Sequence, residues 1–179
     1  MMNDRNLLKR PNKNKINNPR EYYWLYGYHA VKSALNNPLR KLECLLATPS
    51  AIKGLGTLPT TSPEPKLVSP SDLSALLPVG AVHQGVVAKA FALPAISLEQ
   101  VFSTLQTNQD CPILVLDQVT DPRNVGAILR SAAAFKSPAI IMQERHAPTE
   151  SGAMAKAASG AIDLVPMVRV TNLSRTLKK

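Results

Sequence analysis

The C-terminal half of the chain alternates between continuous apolar runs and segments whose apolar residues recur every three or four positions. Continuous runs are typical of buried parallel strands, and the longer spacing is typical of amphipathic helices. Strands are predicted at residues 112–117, 139–142 and 165–168, and helices at 123–135, 150–158 and 172–179. Thr149 and Thr171 are the predicted N-caps of the last two helices. This β-α-β-α-β-α order predicts a parallel sheet with crossover helices.

The N-terminal half shows shorter elements separated by polar or proline-rich segments. Helices are predicted at 28–35, 70–77 and 98–106, and strands at 42–47, 66–68 and 85–93. Ser69 before Pro70, and Ser97 three residues before Gln100, are predicted to cap two of these helices. The three prolines within residues 54–65 predict a loop. The alternation predicts a small α/β domain at 22–92, a linker at 93–110 and a second α/β domain at 111–179.

The composition fits a folded protein with an aliphatic core. Of the 179 residues, 45% are apolar and 18% are charged, whereas aromatic residues account for 4%. No apolar run approaches the roughly 18 residues of a membrane span, and the polar N-terminus lacks the apolar stretch of a secretory signal. These features predict a cytoplasmic protein. Cys44 and Cys111 are far apart and the three histidines are scattered, so no metal site is predicted.

Positive charge is concentrated at the N-terminus. The net charge is +9, and residues 1–20 contain six basic side chains against one acidic side chain. Residues 1–21 have too few apolar side chains for a core and are predicted to form a disordered tail. Such a tail attracts polyanions through phosphate contacts that do not read sequence, although a solvated tail without a partner would carry the same charges. The residues of the tail that are predicted to contact nucleic acid are Arg5, Lys9, Arg10, Lys13, Lys15 and Arg20.

The predicted helix after the first strand of the second domain begins with groups that suit an anionic or polar ligand. Asp121 is the predicted N-cap and Asn124 lies in the first turn. Arg130 follows Gly126 by four residues, so its side chain is predicted to lie back over the glycine. A glycine within a helix costs about 1 kcal/mol relative to alanine. A close-packed helix or a ligand near the backbone would explain Gly126, and Arg130 would form a surface salt bridge or a ligand contact.

Three other kinds of site are disfavoured. Asp117, at the end of a predicted strand, would suit an aspartyl-phosphate enzyme, but Val119 stands where such enzymes have a second carboxylate. The chain contains neither G-x-G-x-x-G nor G-x-x-x-x-G-K-[ST], the common nucleotide-binding loops. Its two Ser-Gly pairs do not form the G-x-S-x-G turn of a serine hydrolase.

Residues 116–132, LDQVTDPRNVGAILRSA, contain the pattern D-P-x-N-x-G-x-x-x-R-[ST]-A. They resemble the first motif of the SpoU/TrmH family, S-adenosylmethionine-dependent RNA ribose 2′-O-methyltransferases of the SPOUT superfamily. Residues 25–31 and 82–86 resemble two segments of the family's N-terminal RNA-binding domain, and residues 156–161 resemble its K-A-S-A-G-A segment. The resemblance runs from about Tyr22 to the end, and it is closest to bacterial enzymes that methylate a guanosine of large-subunit ribosomal RNA.

The resemblance implies an α/β protein in which a small ribosomal-protein-like RNA-binding domain precedes a parallel-sheet SPOUT domain. It also implies a homodimer that methylates RNA, with ribosomal RNA as the expected substrate. Arg130 matches the family's catalytic arginine, Asn124 matches the asparagine beside it, and Arg123 is expected to contact RNA. Holding phosphate and orienting the ribose hydroxyl suit Arg130 better than acting as a base, because a guanidinium keeps its proton. Residues 144–146 would contact RNA or a dimer partner, or form a plain solvated loop.

The family's second motif, with G-x-E, and its third, with S-L-N, do not occur in this sequence. In the family these motifs build the knot that holds S-adenosylmethionine, so most of the cofactor site is expected beyond Lys179 and no cofactor-binding residue is assigned. A SPOUT domain without its knot region is expected to be inactive by itself. It is also expected to expose the sheet at residues 113–116 or 140–142, and to be less stable than residues 22–92. A non-catalytic RNA-binding module is the alternative function.

Overall fold

The structure is a computed structural model, and it describes residues 22–105 and 111–178. The chain divides into two compact units, Met1–Ala92 and Leu93–Lys179. The predicted polar break at 107–110 and the predicted tail lie outside the described residues. The same holds for the predicted RNA contacts of that tail, Arg5, Lys9, Arg10, Lys13, Lys15 and Arg20.

The N-terminal unit contains a four-stranded sheet and three helices. The strands are β1 (Tyr22–Tyr26), β2 (Leu42–Ala47), β3 (Pro65–Leu67) and β4 (Val86–Phe91), and the helices are α1 (Tyr28–Asn36), α2 (Pro49–Leu55) and α3 (Pro70–Leu76). The strand order is β1-β4-β2-β3. β4 is antiparallel to both of its neighbours, whereas β2 and β3 are parallel. The predicted α/β class is confirmed, with a mixed sheet.

Both faces of this sheet are buried. On one face, Trp24, Leu46 and Val87 form a cluster with Leu73 of α3. Neighbouring residues of a strand point to opposite faces, so Leu25 and its counterparts on the other strands face the second layer. α1 contributes to the core with four buried residues, Ala30, Val31, Ala34 and Leu35. The middle strand β4 is consequently buried along five of its six positions.

The sequence pattern did not predict β1 or α2. β1 consists of five apolar or aromatic residues of which four are buried, so no polar alternation marks it as a strand. α2 begins at Pro49, and the Thr48 side chain caps it by accepting a hydrogen bond from the Ala51 N–H. The helix ends before Gly56, whose φ of +72° is a conformation that glycine adopts without strain. Cap and stop signals were therefore present, but the segment between them is too short to show periodicity.

The C-terminal unit contains a three-stranded parallel sheet. Its strands are β5 (Leu114–Leu116), β6 (Ile140–Gln143) and β7 (Met167–Val170), in the order β5-β6-β7. Its helices are α4 (Leu98–Thr104), α5 (Pro122–Ala134), α6 (Gly152–Ala158) and α7 (Leu173–Thr176), with a short 3-10 helix at Ala161–Asp163. The predicted parallel sheet with crossover helices is confirmed.

Residues 93–105 were predicted to be part of a linker, but they lie within the C-terminal unit. Ile96 forms a parallel bridge with Val168 of β7. Val101 of α4 is buried against Ile141 and Val168, so α4 covers one face of the parallel sheet. The capping box of Ser97 predicted the helix correctly, but a capping signal carries no information on what the helix packs against.

The predicted start of α6 is wrong by two residues. Ser151 caps the helix, and its side chain accepts a hydrogen bond from the Met154 N–H, whereas Thr149 lies in the preceding loop. The Arg169 guanidinium of β7 donates a hydrogen bond of 2.7 Å to the Pro148 carbonyl.

The start of α7 and the start of β7 also differ from the prediction. Asn172 caps α7 in place of Thr171, and its side chain accepts a hydrogen bond from the Arg175 N–H. β7 begins at Met167 rather than at residue 165, because the Val165 N–H is still bonded to a carbonyl of the 3-10 helix.

β5 is shorter and more exposed than predicted. It spans three residues, and Val115 is 39% exposed. Among the described residues, β5 pairs only with β6, so its other edge is open. The expectation of an uncovered edge at residues 113–116 agrees with this arrangement, whereas the expectation of a fully buried strand is wrong at Val115.

Candidate active site

The loop after β5 and the first turn of α5 lie at the carboxyl edge of the parallel sheet, where open parallel sheets bind their ligands. Asp121 is the N-cap of α5, and its carboxylate accepts a hydrogen bond of 2.7 Å from the Arg123 N–H. Pro122 occupies the first helical position, as predicted. Gln118, two residues after β5, has a φ of +54°. Non-glycine residues rarely adopt this conformation, and those that do are concentrated at functional sites.

Gly126 is explained by helix packing. A Cβ atom at this position would lie 2.4 Å from the Met154 carbonyl oxygen, 2.7 Å from the Ala157 Cβ and 3.0 Å from the Ala158 nitrogen. These three nearest atoms all belong to α6, so α6 fills the space above the glycine that was predicted for the side chain of Arg130. The close-packed helix, and not a ligand at the backbone, accounts for the glycine.

Among the described residues, Arg130 does not form the surface salt bridge considered as its alternative role. Arg123, Asn124 and Arg130 are all exposed on α5, on the side that does not pack in the core. Within residues 22–105 and 111–178, the Arg130 side chain has neither an ion pair nor a hydrogen bond. A guanidinium that is held on a packed helix and keeps its five donors open to solvent is suited to bind a phosphate or carboxylate.

Helix geometry gives the positions of the three exposed side chains of α5 relative to one another. Arg123 and Arg130 are seven residues apart, so they lie on nearly the same line of the helix, about 10.5 Å apart along its axis. Asn124 lies about 120° around the axis from Arg130. The helix thus presents two guanidiniums in a row and an amide to one side, which is an arrangement that can contact successive groups of an extended polyanion.

The loops after β6 and β7 meet at the same edge of the sheet. The Glu144 N–H donates a hydrogen bond of 2.9 Å to the Val170 carbonyl, and the Gln143 amide donates one of 3.4 Å to the Thr171 carbonyl. Glu144, Arg145 and His146 are exposed. The structure therefore places these predicted loop residues at the carboxyl edge, on the same side of the sheet as the start of α5.

Lys156 is a further basic residue of the C-terminal unit that sequence reasoning did not single out. It lies in the last turn of α6, and partial burial lowers the pKa of its amine. The helix ends at Ser159 and Gly160, both with positive φ. The signal that was available in the sequence is the KAASGA segment, in which a lysine precedes small residues that permit a left-handed turn.

In the N-terminal unit, two segments that are distant in sequence come together. The Tyr28 N–H at the start of α1 donates a hydrogen bond of 3.1 Å to the Gln84 side-chain oxygen. The Gly27 N–H donates one of 3.3 Å to the Val86 carbonyl. The stretches 25–31 and 82–86, both quoted above for their resemblance to an RNA-binding domain, are therefore parts of one surface.

Two structural features bear on the predicted classes of protein. In the part of the chain that the structure describes, no three His, Cys, Asp or Glu residues are grouped so that they could hold a metal ion. None of the described helices is long and apolar enough to cross a membrane.

Comparison with known sequences gives two family matches. The SpoU rRNA Methylase family matches residues 112–179, and the family described as RNA 2′-O ribose methyltransferase substrate binding matches residues 24–95. A relative from Haemophilus influenzae, named 23S rRNA (guanosine-2′-O-)-methyltransferase RlmB, is 36% identical over 86% of this chain and 64% of its own length. The RlmB of Pasteurella multocida is 38% identical over 87% of this chain and 65% of its own length. The chain spans about two thirds of the length of these relatives.

Solved structures agree with this assignment at the level of the fold. The SpoU methyltransferase AviRb from Streptomyces viridochromogenes, in complex with the cofactor AdoMet, matches with a TM-score of 0.65 and 22% identity. The match covers 88% of this chain and 58% of AviRb. An AdoMet-bound rRNA methyltransferase from Sinorhizobium meliloti matches with a TM-score of 0.62 over 88% of this chain and 57% of its own. The two family matches, the relatives and the shared fold together show that the chain belongs to the SpoU/TrmH family of RNA 2′-O-methyltransferases.

Proposed function

We propose that this chain is part of an enzyme that transfers a methyl group from S-adenosylmethionine to the 2′-hydroxyl of a ribose in ribosomal RNA, and that the 179 residues alone do not catalyse the transfer. The relatives named above, which are guanosine methyltransferases of 23S ribosomal RNA, support a guanosine of the large-subunit RNA as the substrate. The observation that carries the proposal is the exposed Arg130 guanidinium, on a helix that begins at the carboxyl edge of the parallel sheet. The site of action is the cytoplasm, where ribosomal RNA is found.

Arg130 acts in this proposal by binding and orienting the substrate. A guanidinium remains protonated and cannot take the proton of the ribose hydroxyl. It can hold an adjacent phosphate through paired hydrogen bonds and so fix the hydroxyl in line with the methyl group. Asn124 has both a donor and an acceptor and is suited to orient the hydroxyl itself. Arg123, seven residues before Arg130, contacts the next phosphates of the strand in this proposal.

The described residues fit one side of a cofactor site. S-adenosylmethionine supplies the methyl group when it is bound. The exposed side chains from Asp117 to Asn124 are all polar, so they offer hydrogen bonds to the amino acid or ribose parts of the cofactor but no apolar wall for its adenine. We propose that the rest of the cofactor site is formed by the part of the relatives' sequence that this chain does not match. A homodimer is proposed for the complete enzyme.

The first test uses the chain of 179 residues. Titration calorimetry with S-adenosylmethionine should show no binding, and methyl transfer to deproteinised ribosomal RNA should not be detectable. One-to-one binding of the cofactor would mean that the strands of this chain, or a second copy of it, complete the pocket. Turnover would contradict the proposed inactivity of the chain by itself.

The second test uses the chain extended to the length of the family with the C-terminal third of the Haemophilus influenzae relative. Arg130→Ala should lower methyl transfer by about 100-fold or more, as does the loss of one preorganised donor in other active sites. Its affinity for RNA should change by less than about threefold, because most of the affinity comes from other phosphate contacts. Arg175→Ala, at an exposed arginine of α7, is the matched control and should leave both quantities unchanged.

This design also distinguishes the non-catalytic alternative. An RNA-binding module would bind RNA in a manner that weakens with salt, but neither the extended wild type nor Arg130→Ala would transfer methyl groups. Methyl transfer that survives in Arg130→Ala would remove the assignment of this residue.

A further inference from the structure

The N-terminal unit contains a pocket of about 560 Å³ that the proposed reaction does not use. It lies where α1, the start of α2, the start of α3 and the loop before β4 converge. Its volume is within the range of sites for small molecules and single nucleotides. The residues that give it its chemistry are Tyr28, Thr48, Ser50, His83, Gln84 and Gly85.

Hydrogen bonds hold the wall formed by Tyr28 in place. The Tyr28 hydroxyl donates a hydrogen bond of 2.7 Å to the Gly54 carbonyl in α2, and its N–H donates one of 3.1 Å to the Gln84 side chain. The Lys32 ammonium lies 5.6 Å from the centre of the Tyr28 ring. An aromatic ring anchored in this way is a surface on which a flat ligand can stack.

His83 is fixed through both of its ring nitrogens. Nδ1 accepts a hydrogen bond of 3.0 Å from the Gly85 N–H, and Nε2 lies 3.2 Å from the Ser74 hydroxyl. Because Nδ1 is an acceptor, the neutral ring carries its proton on Nε2 and donates it to Ser74. The protein therefore holds both ring nitrogens of His83 in place, and the residue lines the pocket.

The tight turn before β4 closes the pocket. Gln84 and Gly85 have φ values of +55° and +78°. A Cβ on Gly85 would lie 2.6 Å from the Thr48 hydroxyl and 3.0 Å from the Ala51 Cβ. The absence of a side chain at Gly85 therefore lets the turn approach the start of α2, which brings the Thr48 and Ser50 hydroxyls to the same cavity as the rings.

The charges around the pocket favour an anion. α1 and α2 carry the exposed lysines Lys32 and Lys53 and no acidic residue. The elements that supply the lining contain one carboxylate, Asp72 of α3, and it is held by hydrogen bonds of 3.1 Å and 2.6 Å to the Ser69 N–H and hydroxyl. A ligand with a flat ring and a phosphate matches this combination of rings, hydroxyls and flanking ammonium groups.

We propose that this pocket binds one unstacked nucleotide of the RNA substrate. Proteins recognise RNA sequence mainly at unpaired bases, which stack on aromatic side chains and form hydrogen bonds through their edges. The pocket is an open concavity whose volume is sufficient for a single base. The inference rests on the proposed function in that RNA is the substrate, and it assigns to the N-terminal unit the reading of one nucleotide of that RNA.

The test measures the affinity of the 179-residue chain for five RNA hairpins. Four hairpins differ only in the identity of one unpaired nucleotide, and the fifth has an abasic ribose at that position. Stacking of one base on an aromatic side chain gives about a 5- to 100-fold difference in affinity. We expect at least one base to bind tighter than the abasic hairpin by such a factor, with the same dependence on salt for all five.

Ser50→Trp fills the pocket and should bring all five affinities together. Thr60→Trp, at an exposed position outside the pocket, is the matched control and should retain the difference. His83→Ala should reduce the difference in affinity. Ser74→Ala removes the hydrogen bonds of the hydroxyl to the His83 ring nitrogen and to the Pro70 carbonyl but leaves the ring itself, and it should retain the difference. Urea midpoints from circular dichroism identify any variant that fails to fold, and the two independent pocket variants keep the test decisive.

The outcomes separate the two hypotheses. Equal binding of all five hairpins by the wild type, or a difference that survives Ser50→Trp, would overturn the nucleotide pocket and leave the methyltransferase proposal intact. Failure to bind any hairpin at any salt concentration would contradict RNA as the substrate, and with it the proposed function.

Discussion

Gly126 and Arg130 lie one turn apart on α5, and different features of the structure explain why a glycine and an arginine occur at these positions. The sequence allowed one ligand to explain both, because the glycine would open space beneath the arginine. The structure separates them, since α6 occupies the space at Gly126 while Arg130 is exposed and has no partner among the described residues. The residue types and their positions in the helix could be predicted from the motif. The partner of Gly126 could not, because helix α6 follows only after a strand and a long loop.

The close packing at Gly126 predicts that even the methyl group of alanine lowers the free energy of unfolding. Gly126→Ala should destabilise the C-terminal unit by about 1–3 kcal/mol, although alanine is the better helix former by about 1 kcal/mol. The atoms in its way include the Met154 carbonyl and the Ala158 nitrogen, and backbone atoms cannot rotate aside. Urea unfolding followed by far-UV circular dichroism measures the change.

Gly54→Ala is the matched control for this prediction. Gly54 also lies in a helix, but a Cβ there would lie 3.5 Å from the Tyr28 ring, which is an ordinary contact. This variant should be as stable as the wild type or more stable by up to about 1 kcal/mol. Equal effects of the two substitutions would mean that α5 and α6 can move apart.

At the scale of single elements, capping residues in the sequence predicted where several helices begin, but they did not show how contacts with distant residues change an element. Ser69, Ser97 and Asp121 were predicted caps and all three cap their helices. Thr149 was also a predicted cap, but the side chain that accepts the hydrogen bond from the first turn of α6 is that of Ser151. β5 was predicted as fully buried because its sequence is apolar, but apolar composition does not show whether a sheet continues beyond a strand.

The cap of α3 should make the N-terminal unit sensitive to acid. Hydrogen bonds from the Ser69 hydroxyl and N–H lower the pKa of the Asp72 carboxyl below its ordinary value. The ionised carboxylate is therefore favoured in the folded state. Its contribution to stability is complete above about pH 4 and is lost as the pH falls through the lower folded-state pKa.

Trp24 fluorescence during urea unfolding measures this effect, because Trp24 is the single tryptophan of the chain and is buried in the N-terminal unit. Asp72→Asn should lower the unfolding midpoint at about pH 7, and the difference from the wild type should vanish at the acid end of the titration. Glu64→Gln, at an exposed position, is the control and should show no such pH-dependent difference. A difference that is constant across pH would contradict the role of the ionised carboxylate.

At the scale of the whole molecule, the two units differ in how completely their sheets are covered. The N-terminal sheet buries β4 on both faces. In the C-terminal sheet, Val115 is exposed on a strand whose outer edge has no partner among the described residues. The α/β class and the parallel sheet followed from the order of elements in the sequence. That α4 packs on the second sheet did not follow, because an amphipathic helix between two domains can pack on either or on neither.

The difference in coverage predicts that the C-terminal unit unfolds at lower urea than the N-terminal unit. Far-UV circular dichroism should show two phases, and Trp24 fluorescence should follow only the phase at higher urea. Leu129→Ala and Leu45→Ala remove fully buried leucines from the C-terminal and N-terminal units respectively. Each should cost about 2–5 kcal/mol and shift only its own phase. A single transition with both probes would mean that the units unfold together.

The position of β4 has a consequence for how the protein is made. β4 is the last strand of the N-terminal unit in the sequence, yet it lies between β1 and β2 and supplies the only pairing of β1 among the described residues. Until the ribosome has synthesised and released residues up to Phe91, the nascent chain can pair β2 with β3 but leaves β1 without a neighbour. The aromatic segment of β1 therefore stays unpaired and exposed during most of the synthesis of the unit. A chaperone that binds nascent chains would find this apolar segment accessible during that interval.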